Sequence, residues 1–225
     1  MRRASVSGMT DRRAARQLAA EAVAAGQPLR WFEQLYAAAD RDGSPVPWAD
    51  LEPNPNLVSW GRLDPAAMRR ALVMGCGYGD DAEWLAAQGC EVTAFDISPS
   101  AIARCRERFP GSPVRYQSAD LLSPPRDWLD EPFGLVFEAY TVQVLPPGSA
   151  ERATAIRMLA ALTGGTLLLV ARGRQESDDP GAMPWPLLRA ELGSLREAGL
   201  REIAFEEYRD GEDPPVRRYR VTYQR

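Results

Sequence analysis

The chain contains no histidine and no lysine, so every basic side chain among its 225 residues is an arginine. This absence excludes hydrolysis by a Ser-His-Asp triad, histidine metal sites, Schiff-base chemistry and the lysine of a P-loop. It also removes the side chain whose ordinary pKa lies near neutrality. A reaction here must therefore use a carboxyl, tyrosine or cysteine group as its base, or proceed without one.

Cysteine and long apolar segments are scarce as well. The three cysteines, Cys76, Cys90 and Cys105, have no paired spacing and offer no metal template, so we expect free thiols in a reducing compartment. No apolar run approaches the roughly 18 residues that cross a bilayer, and residues 1–8 lack the apolar stretch of a secretory signal. These absences predict a cytoplasmic protein without a membrane partner.

The remaining composition is typical of one globular domain. Apolar residues make up 45% of the chain and charged residues 26%, with a formal net charge of −4, which argues against a nucleic-acid partner. We expect a disordered arm over residues 1–9, N-terminal helices with a cover rich in proline and tryptophan over residues 10–62, and the main part of the domain over residues 63–225. A monomer or a homodimer fits this organisation equally well.

Strand patterns alternate with helix patterns after residue 62. The pattern predicts strands at 70–74, 91–96, 113–118, 133–138 and 165–171, and helices at 80–88, 99–108, 149–162 and 187–198. Such alternation requires right-handed crossovers and a parallel sheet covered on both faces. Two final strands, 201–208 and 216–223, are joined by a loop short enough only for antiparallel neighbours. The expected fold is α/β: three Rossmann-like layers around a mostly parallel seven-stranded sheet, with one antiparallel strand near the C-terminal edge.

A glycine-rich turn follows the first of these strands. The segment Ala71-Leu72-Val73-Met74-Gly75-Cys76-Gly77-Tyr78-Gly79-Asp80 is an apolar strand that breaks into alternate glycines before a helix. Such a turn directs backbone N–H groups and a helix N-terminus at one spot, which suits a polar ligand. Asp96 ends the second strand 21 residues after Gly75, a spacing at which a carboxylate accepts hydrogen bonds from ribose hydroxyls. Together these features predict a cofactor that contains adenosine.

Two classes of cofactor fit such a turn, nicotinamide dinucleotides and S-adenosylmethionine. The dinucleotide fingerprint has a glycine at its sixth position for close packing of helix and strand, whereas Asp80 stands there in this chain. The spacing therefore disfavours a nicotinamide dinucleotide.

Further features match one family in the order of the chain. Asp120 follows the third strand, Gly164-Gly165 precedes the fifth, and the chain closes with the antiparallel hairpin. On these residues and the glycine turn, the chain resembles class I S-adenosylmethionine-dependent methyltransferases over about residues 70–223. It is similar in particular to the branch of thiopurine, halide and thiol methyltransferases. The residues that carry this second resemblance are Phe95-Asp96-Ile97-Ser98, Phe137-Glu138-Ala139-Tyr140-Thr141 and Met183-Pro184-Trp185.

The resemblance implies a site that binds S-adenosylmethionine and releases S-adenosylhomocysteine, without a metal. Asp96 would hold the ribose, Asp120 would meet the amine of adenine, and Asp80 or Asp81 would face the ammonium group. The cofactor-binding residues it implies are Trp48, Gly75, Cys76, Gly77, Gly79, Asp80, Asp96, Ile97, Ser98, Asp120, Leu121 and Glu138.

The same resemblance implies an acceptor pocket on the loops that follow the later strands. Its candidate residues are Tyr140, Gln143, Arg172 and Trp185, and the candidate catalytic residues are Glu138, Tyr140 and Arg172. Many relatives carry arginine or tyrosine directly after the acidic residue of the fourth strand, where this chain has Ala139. The acceptor therefore stays open on this comparison.

The chemistry favours a small-molecule acceptor that is already ionised. A thiol with a pKa of about 8.5 is roughly 3% thiolate at pH 7, whereas an alkyl alcohol is essentially never ionised there. A site without histidine or lysine therefore favours S-methylation of a small thiol, with Arg172 or another arginine stabilising the thiolate. O- or N-methylation of a secondary metabolite is the alternative, with Glu138 or Asp213 as base, and a non-catalytic S-adenosylmethionine-binding regulator is a third hypothesis.

Overall fold

The protein is described by a computed structural model that covers residues 6–225, apart from the side chains of residues 6–12 and 42. Residues 1–5 of the predicted arm lie outside the described residues, and the side chains of residues 6–9 are not described, so the expectation of a disordered arm over residues 1–9 stays a prediction. The helices are α1 (Val6–Ala24), α2 (Arg30–Asp42), α3 (Pro55–Val58), α4 (Asp80–Ala87), α5 (Pro99–Arg108), α6 (Arg126–Asp130), α7 (Ala150–Leu162) and α8 (Gly193–Glu197). The strands are β1 (Arg70–Met74), β2 (Glu91–Asp96), β3 (Arg115–Ser118), β4 (Phe133–Ala139), β5 (Thr163–Arg174), β6 (Leu187–Leu188), β7 (Arg201–Arg209) and β8 (Arg217–Gln224).

The strands form one twisted sheet in the order β3-β2-β1-β4-β5-β8-β7, with β6 paired to β5 beside this path. Strands β1 to β5 are parallel, whereas β8 runs antiparallel to both of its neighbours, β5 and β7. The mostly parallel Rossmann-like sheet with a reversed strand near its edge is thus confirmed.

Two details of the expected fold are wrong. The described sheet has eight strands rather than seven, because β5 extends to Arg174 and offers an edge to which Leu187 and Leu188 pair. The same pairing replaces the helix expected over 187–198, of which only α8 forms. Leu188, Leu192 and Leu195 have helical spacing, but apolar spacing alone does not separate a helix from a short strand and a turn.

The central strands are buried on both faces, which explains their unbroken apolar sequences. Leu72 and Met74 of β1 face the core cluster under α7, while Ala71 and Val73 face the cluster under α4 and α5. The helices therefore cover both sides, and the carboxyl ends of β1 to β5 meet at one edge of the sheet.

The N-terminal cover lies across that edge and is tied down at both ends. The carboxylate of Glu33 in α2 accepts hydrogen bonds from the hydroxyls of Ser98 (2.6 Å) and Ser100 (2.8 Å) at the start of α5. The indole N–H of Trp60 donates to the hydroxyl of Thr222 in β8 at 2.9 Å. The expectation of an ordered cover over residues 10–62 therefore has a physical basis, although its boundaries stay a prediction.

The described residues include all three cysteines and the helices that could be compared with a membrane span. Cys76, Cys90 and Cys105 all carry free thiols, as expected. Among the helices that the structure describes, none combines the length and the apolar character needed to cross a bilayer.

Candidate active site

A large cleft opens at the carboxyl edge of the sheet, with a volume of about 1860 Å³. Its floor is made by the loops after β1, β2, β3 and β4, its roof by cover residues 47–56, and its far wall by the hairpin that joins β7 and β8. Ligand pockets typically measure roughly 300–1,000 Å³, so this cleft has room for two small molecules side by side. Open α/β sheets bind ligands at this edge.

Gly75 and Gly77 lie on the floor at the tip of β1, at positions that disfavour a side chain. Both have a left-handed backbone, with φ of +57° and +52°. A Cβ atom on Gly75 would collide with the side chain of Thr141, and one on Gly77 would lie 3.2 Å from the hydroxyl oxygen of Tyr36. The backbone of this loop therefore faces the cleft between the side chains of Thr141 and Tyr36.

Asp96 joins this loop to the end of β2. One carboxylate oxygen accepts the N–H of Gly77 and the other accepts the N–H of Ser98, both at 3.0 Å. Burial raises the pKa of Asp96 to about 6, and the hydrogen bonds from the backbone oppose this shift. Each oxygen keeps a lone pair for a ligand hydroxyl, so the geometry is compatible with the ribose role expected of Asp96.

The two aspartates that open α4 have different partners. Asp80 forms a bidentate ion pair with the guanidinium of Arg108, with N–O distances of 2.7 and 2.8 Å. Asp81 instead accepts the N–H of Asn54 at 2.6 Å, and burial raises its pKa to about 6. Both aspartates line the cleft, but only Asp81 lacks a cationic partner among the described side chains. Asp81 is therefore the better candidate to face an ammonium group.

Most of the other predicted cofactor residues also reach the cleft. Asp120 lies after β3, where one carboxylate oxygen accepts the N–H of Leu122 at 2.8 Å. Trp48 is 40% exposed, and its indole N–H donates to the hydroxyl of Tyr36 at 2.9 Å. The remaining predicted cofactor residues that line the cleft are Cys76, Ile97 and Leu121.

Three predicted site residues lie away from the cleft because their groups are already engaged elsewhere. Gly79 faces Tyr116, whose hydroxyl a Cβ atom at that position would meet. The hydroxyl of Ser98 caps α5 by accepting the N–H of Ala101 and donates to Glu33. The indole N–H of Trp185 donates to the carbonyl oxygen of Gly181 at 3.1 Å. A direct contact between these three residues and a ligand therefore stays a prediction.

Glu138 is the fourth predicted residue that does not line the cleft. Its side chain is 1% exposed and lies in the core, on the face of β4 that packs with Met74. One carboxylate oxygen accepts the N–H groups of Thr141 (2.7 Å) and Val142 (3.0 Å). The carboxylate therefore lies behind the turn that follows β4, and its expected role as a base or ligand contact stays a prediction.

The acceptor candidates Tyr140, Gln143 and Arg172 converge on the far half of the cleft. The backbone of Tyr140 is left-handed, with φ of +64°, and its N–H donates to the carbonyl oxygen of Val170 at 2.9 Å. The buried side-chain oxygen of Gln143 accepts the N–H of Arg172 at 2.8 Å, which fixes the turn after β4 against β5.

Sequence reasoning missed Arg218, which lies in β8 opposite Tyr140. Its guanidinium carbon is 5.1 Å from the centre of the Tyr140 ring. The same guanidinium donates to the carboxylates of Asp210 and Glu212, each at 2.6 Å. These two carboxylates lie in the adjoining hairpin loop, whereas Tyr140 lies 78 residues earlier in the chain, so no local motif connects Arg218 with the cleft.

Tyr36 was also missed as a site residue. It is 2% exposed and lies above Gly77, at the centre of an aromatic group formed with Trp48 and Tyr78. Its helical spacing with Trp31 and Phe32 is equally typical of an ordinary core helix. Only the packing of α2 over the glycine loop distinguishes a residue of the cleft from an ordinary core residue.

Comparison with known proteins agrees with this geometry. Residues 71–163, from β1 to the start of β5, match the family model described as a methyltransferase domain. This segment is therefore similar to the methyltransferase domains of that family. It contains the glycine loop, Asp96, Asp120 and Glu138.

Individual relatives extend the likeness beyond that domain. Trans-aconitate 2-methyltransferase of Methylobacterium nodulans is 29% identical over 171 residues, which are 72% of this chain and 62% of that protein. The chain spans less than two thirds of the length of the curated relatives it matches, at 41% and 62%.

Solved structures show the same fold. The N-methyltransferase NodS from Bradyrhizobium japonicum, in complex with S-adenosyl-L-homocysteine, superimposes with a TM-score of 0.63 at 21% identity, covering 84% of this chain and 97% of that one. A structure described by the conversion of a disulfide bond into a thioacetal group during echinomycin biosynthesis gives a TM-score of 0.69 at 19% identity, covering 88% and 91%. The chain therefore has the fold of the S-adenosylmethionine-dependent methyltransferases.

The residues present fit that cofactor. The buried carboxylate of Asp96 has lone pairs for hydroxyl groups, the glycine loop leaves its backbone open, and Asp81 offers an unpaired negative charge. Among the side chains that the structure describes, no group of three or more acidic or cysteine residues is arranged to hold a metal ion.

Proposed function

We propose that this chain is an S-adenosylmethionine-dependent methyltransferase that acts on a small molecule. The observation that carries the proposal is the single cleft in which the glycine loop, Asp96 and Asp120 share a floor with a second half around Tyr140 and Arg218. One half suits the cofactor and the other is free for an acceptor.

The first half would hold the cofactor by three contacts. Asp96 would accept hydrogen bonds from the ribose, Asp120 would meet the adenine amine, and Asp81 would pair with the ammonium group. When bound, S-adenosylmethionine supplies an electrophilic methyl group. The chain's own contribution would be to align the acceptor with that group and to exclude water, the second of which we assign to cover residues 47–56.

S-methylation of a thiol is the acceptor chemistry we propose. The sequence has no histidine or lysine, and the carboxylate of Glu138 is buried behind the turn after β4, so we do not propose it as the base. Burial raises the pKa of Tyr140, which leaves its phenol protonated. An acceptor with an accessible thiolate needs none of these groups as base, and this is consistent with the thiol branch that the sequence resembles.

An amine acceptor is the second candidate, and it has an observation of its own in its favour. Asp50, Glu52 and Asp213 line the cleft in addition to Asp81 and Asp120, and none of the five has an arginine partner among the described ion pairs. A negative cleft attracts cations, and Asp213 is the carboxylate that we propose as the base for an amine, since Asp81 is assigned to the cofactor.

A panel of matched acceptors decides between these hypotheses. The chain is incubated with methyl-labelled S-adenosylmethionine and with an aryl thiol, an aryl amine and a phenol that share one ring. Fastest labelling of the thiol supports S-methylation, whereas labelling of only the amine or the phenol contradicts it. Tight binding in calorimetry without S-adenosylhomocysteine formation on any acceptor would instead support a protein that binds the cofactor without turning it over.

A further inference from the structure

Glu138 makes its two hydrogen bonds to a turn that borders both halves of the cleft. After β4 the chain forms a short 3-10 turn over Val142–Val144, whose first N–H groups have no partner within the turn itself. One oxygen of Glu138 accepts the N–H of Thr141 at 2.7 Å and that of Val142 at 3.0 Å. The carboxylate thus does for this turn what a capping side chain does for a helix.

The turn touches the cofactor half through Thr141. Its side chain lies where a Cβ atom of Gly75 would be, and its hydroxyl donates to the carbonyl oxygen of Met74 at 3.3 Å. A shift of the Thr141 backbone would therefore move the side chain that packs directly on the glycine loop.

The turn touches the acceptor half through Tyr140. A tyrosine with φ of +64° is strained and keeps this conformation only when its surroundings impose it. The N–H of Tyr140 is held by Val170, and its ring lies against the guanidinium of Arg218. Thr141 directly follows Tyr140, so the hydrogen bond that Glu138 accepts from the N–H of Thr141 fixes the peptide group after Tyr140.

Resting on the proposed function, we propose that Glu138 is a positioning residue whose negative charge holds the turn over residues 140–142 and so couples the cofactor half of the cleft to its acceptor half. It acts from behind the wall of the cleft, through backbone N–H groups, and contacts neither ligand.

The surroundings of Glu138 make this charge sensitive to pH. In register it lies between Met74 of β1 and Leu169 of β5, and its second carboxylate oxygen is buried without a hydrogen-bond partner among the described residues. Burial raises the pKa of Glu138 to about 7, opposed only by the N–H groups of Thr141 and Val142, and no charged side chain among the described residues contributes. Hydrogen bonds to an ionised acceptor are roughly twice as strong as those to a neutral one, so the turn loosens as the pH falls through about 7.

The backbone N–H groups themselves give the most direct test. In the full chain labelled with nitrogen-15, the amide signals of Thr141 and Val142 should titrate together near pH 7. Glu138→Gln should abolish this titration, and Glu138→Asp, which keeps a carboxyl group, should retain one. The matched control Glu197→Gln, at an exposed position of α8, should behave like the unmodified chain. Amide signals that stay constant from pH 5.5 to 8.5, or that titrate equally in Glu138→Gln, would overturn the proposal.

Activity provides the second readout. On the acceptor found for the chain, kcat/KM should rise about tenfold as the pH passes through neutrality, the effect of weakening one charge-assisted hydrogen bond, and Glu138→Gln should be low and independent of pH. An unchanged pH profile in Glu138→Gln would contradict the proposal. Should no acceptor be methylated, the proposed function fails while the amide titration still decides the role of Glu138. Should Glu138→Gln not fold, the unmodified chain and Glu138→Asp decide it.

Discussion

Replacing Asp96 by asparagine should separate cofactor binding from folding. Asparagine has the same shape but carries no charge, and only one of its two terminal atoms accepts hydrogen bonds. In the structure each carboxylate oxygen accepts one N–H, from Gly77 and from Ser98. The substitution therefore leaves one of these donors facing an amide N–H₂ group.

The effect on stability should be small because two contributions oppose each other. The rise in the pKa of Asp96 from 3.8 to about 6 means that the fold disfavours the ionised carboxyl group by roughly 3 kcal/mol above pH 6. Asparagine removes this penalty. The unsatisfied backbone donor costs about 1–3 kcal/mol, so we expect a net change within about 2 kcal/mol.

The effect on binding should be large, because no such compensation exists for the ligand. Loss of one hydrogen bond to a charged acceptor costs about 1.5–3 kcal/mol, which corresponds to a roughly 10- to 100-fold weaker Kd. Calorimetric titration with S-adenosylmethionine at pH 8 measures this change, and urea unfolding in the same buffer measures stability. Affinity of the unmodified chain should also fall between pH 8 and pH 5, as Asp96 takes up a proton, whereas the variant should show no such change from this group.

The matched control is Asp130→Asn, since Asp130 is exposed at the end of α6. It should leave both the Kd and the unfolding free energy unchanged. An Asp96→Asn variant that binds S-adenosylmethionine as tightly as the unmodified chain would refute the assignment of the ribose to Asp96.

Three further predictions address the walls and the core. Gly77→Ala should lower the free energy of unfolding by about 1–2 kcal/mol and weaken cofactor binding. The left-handed backbone disfavours a Cβ atom, and the added Cβ would lie 3.2 Å from the hydroxyl oxygen of Tyr36. An unaltered urea midpoint would contradict this prediction. Arg218→Lys should raise the acceptor KM several-fold while the cofactor Kd stays constant. Lysine cannot bind the carboxylates of Asp210 and Glu212 and contact the Tyr140 ring at the same time. Equal changes in KM and Kd would instead indicate a general loss of folding and contradict the prediction. The free energy of unfolding should fall as the pH rises from about 5 to 7. In this range the folded protein holds protons on Asp81, Asp96 and Glu138 that the unfolded chain has already released. Urea unfolding at several pH values measures this dependence, and a free energy of unfolding that rises with pH would refute the reasoning.

The position of the glycine loop could be predicted from the sequence because its signals are local. An apolar strand, glycines at alternate positions and an acidic residue at the next strand tip each depend on the preferences of a few neighbouring residues. The strands from 70–74 to 216–223 were placed within a few residues for the same reason. Local signals did not distinguish a helix from a strand and a turn over 187–198, because that choice depends on the free edge that β5 presents.

The acceptor half was only partly predictable, because its walls come from distant parts of the chain. Tyr140 was singled out from its place after β4, whereas Arg218, 78 residues further on, carries no motif that connects it to Tyr140. Glu138 lies at the end of β4, as the sequence predicts, but the sequence does not indicate that its side chain is buried there. The direction in which the chain turns after a strand is set by the long-range packing of that turn, here on Gly75 and on β5.

The amino-acid sequence by itself determined the α/β fold, the reversed last strand, the glycine loop and the absence of any histidine or lysine chemistry, because these follow from residue types and their spacing. Only the tertiary structure decided which carboxyl groups face the cleft, which are paired with arginine and which are buried with a raised pKa. Burial and pairing depend on groups brought together from distant parts of the chain, and the chemistry of a carboxyl group depends on that environment as much as on its place in the sequence.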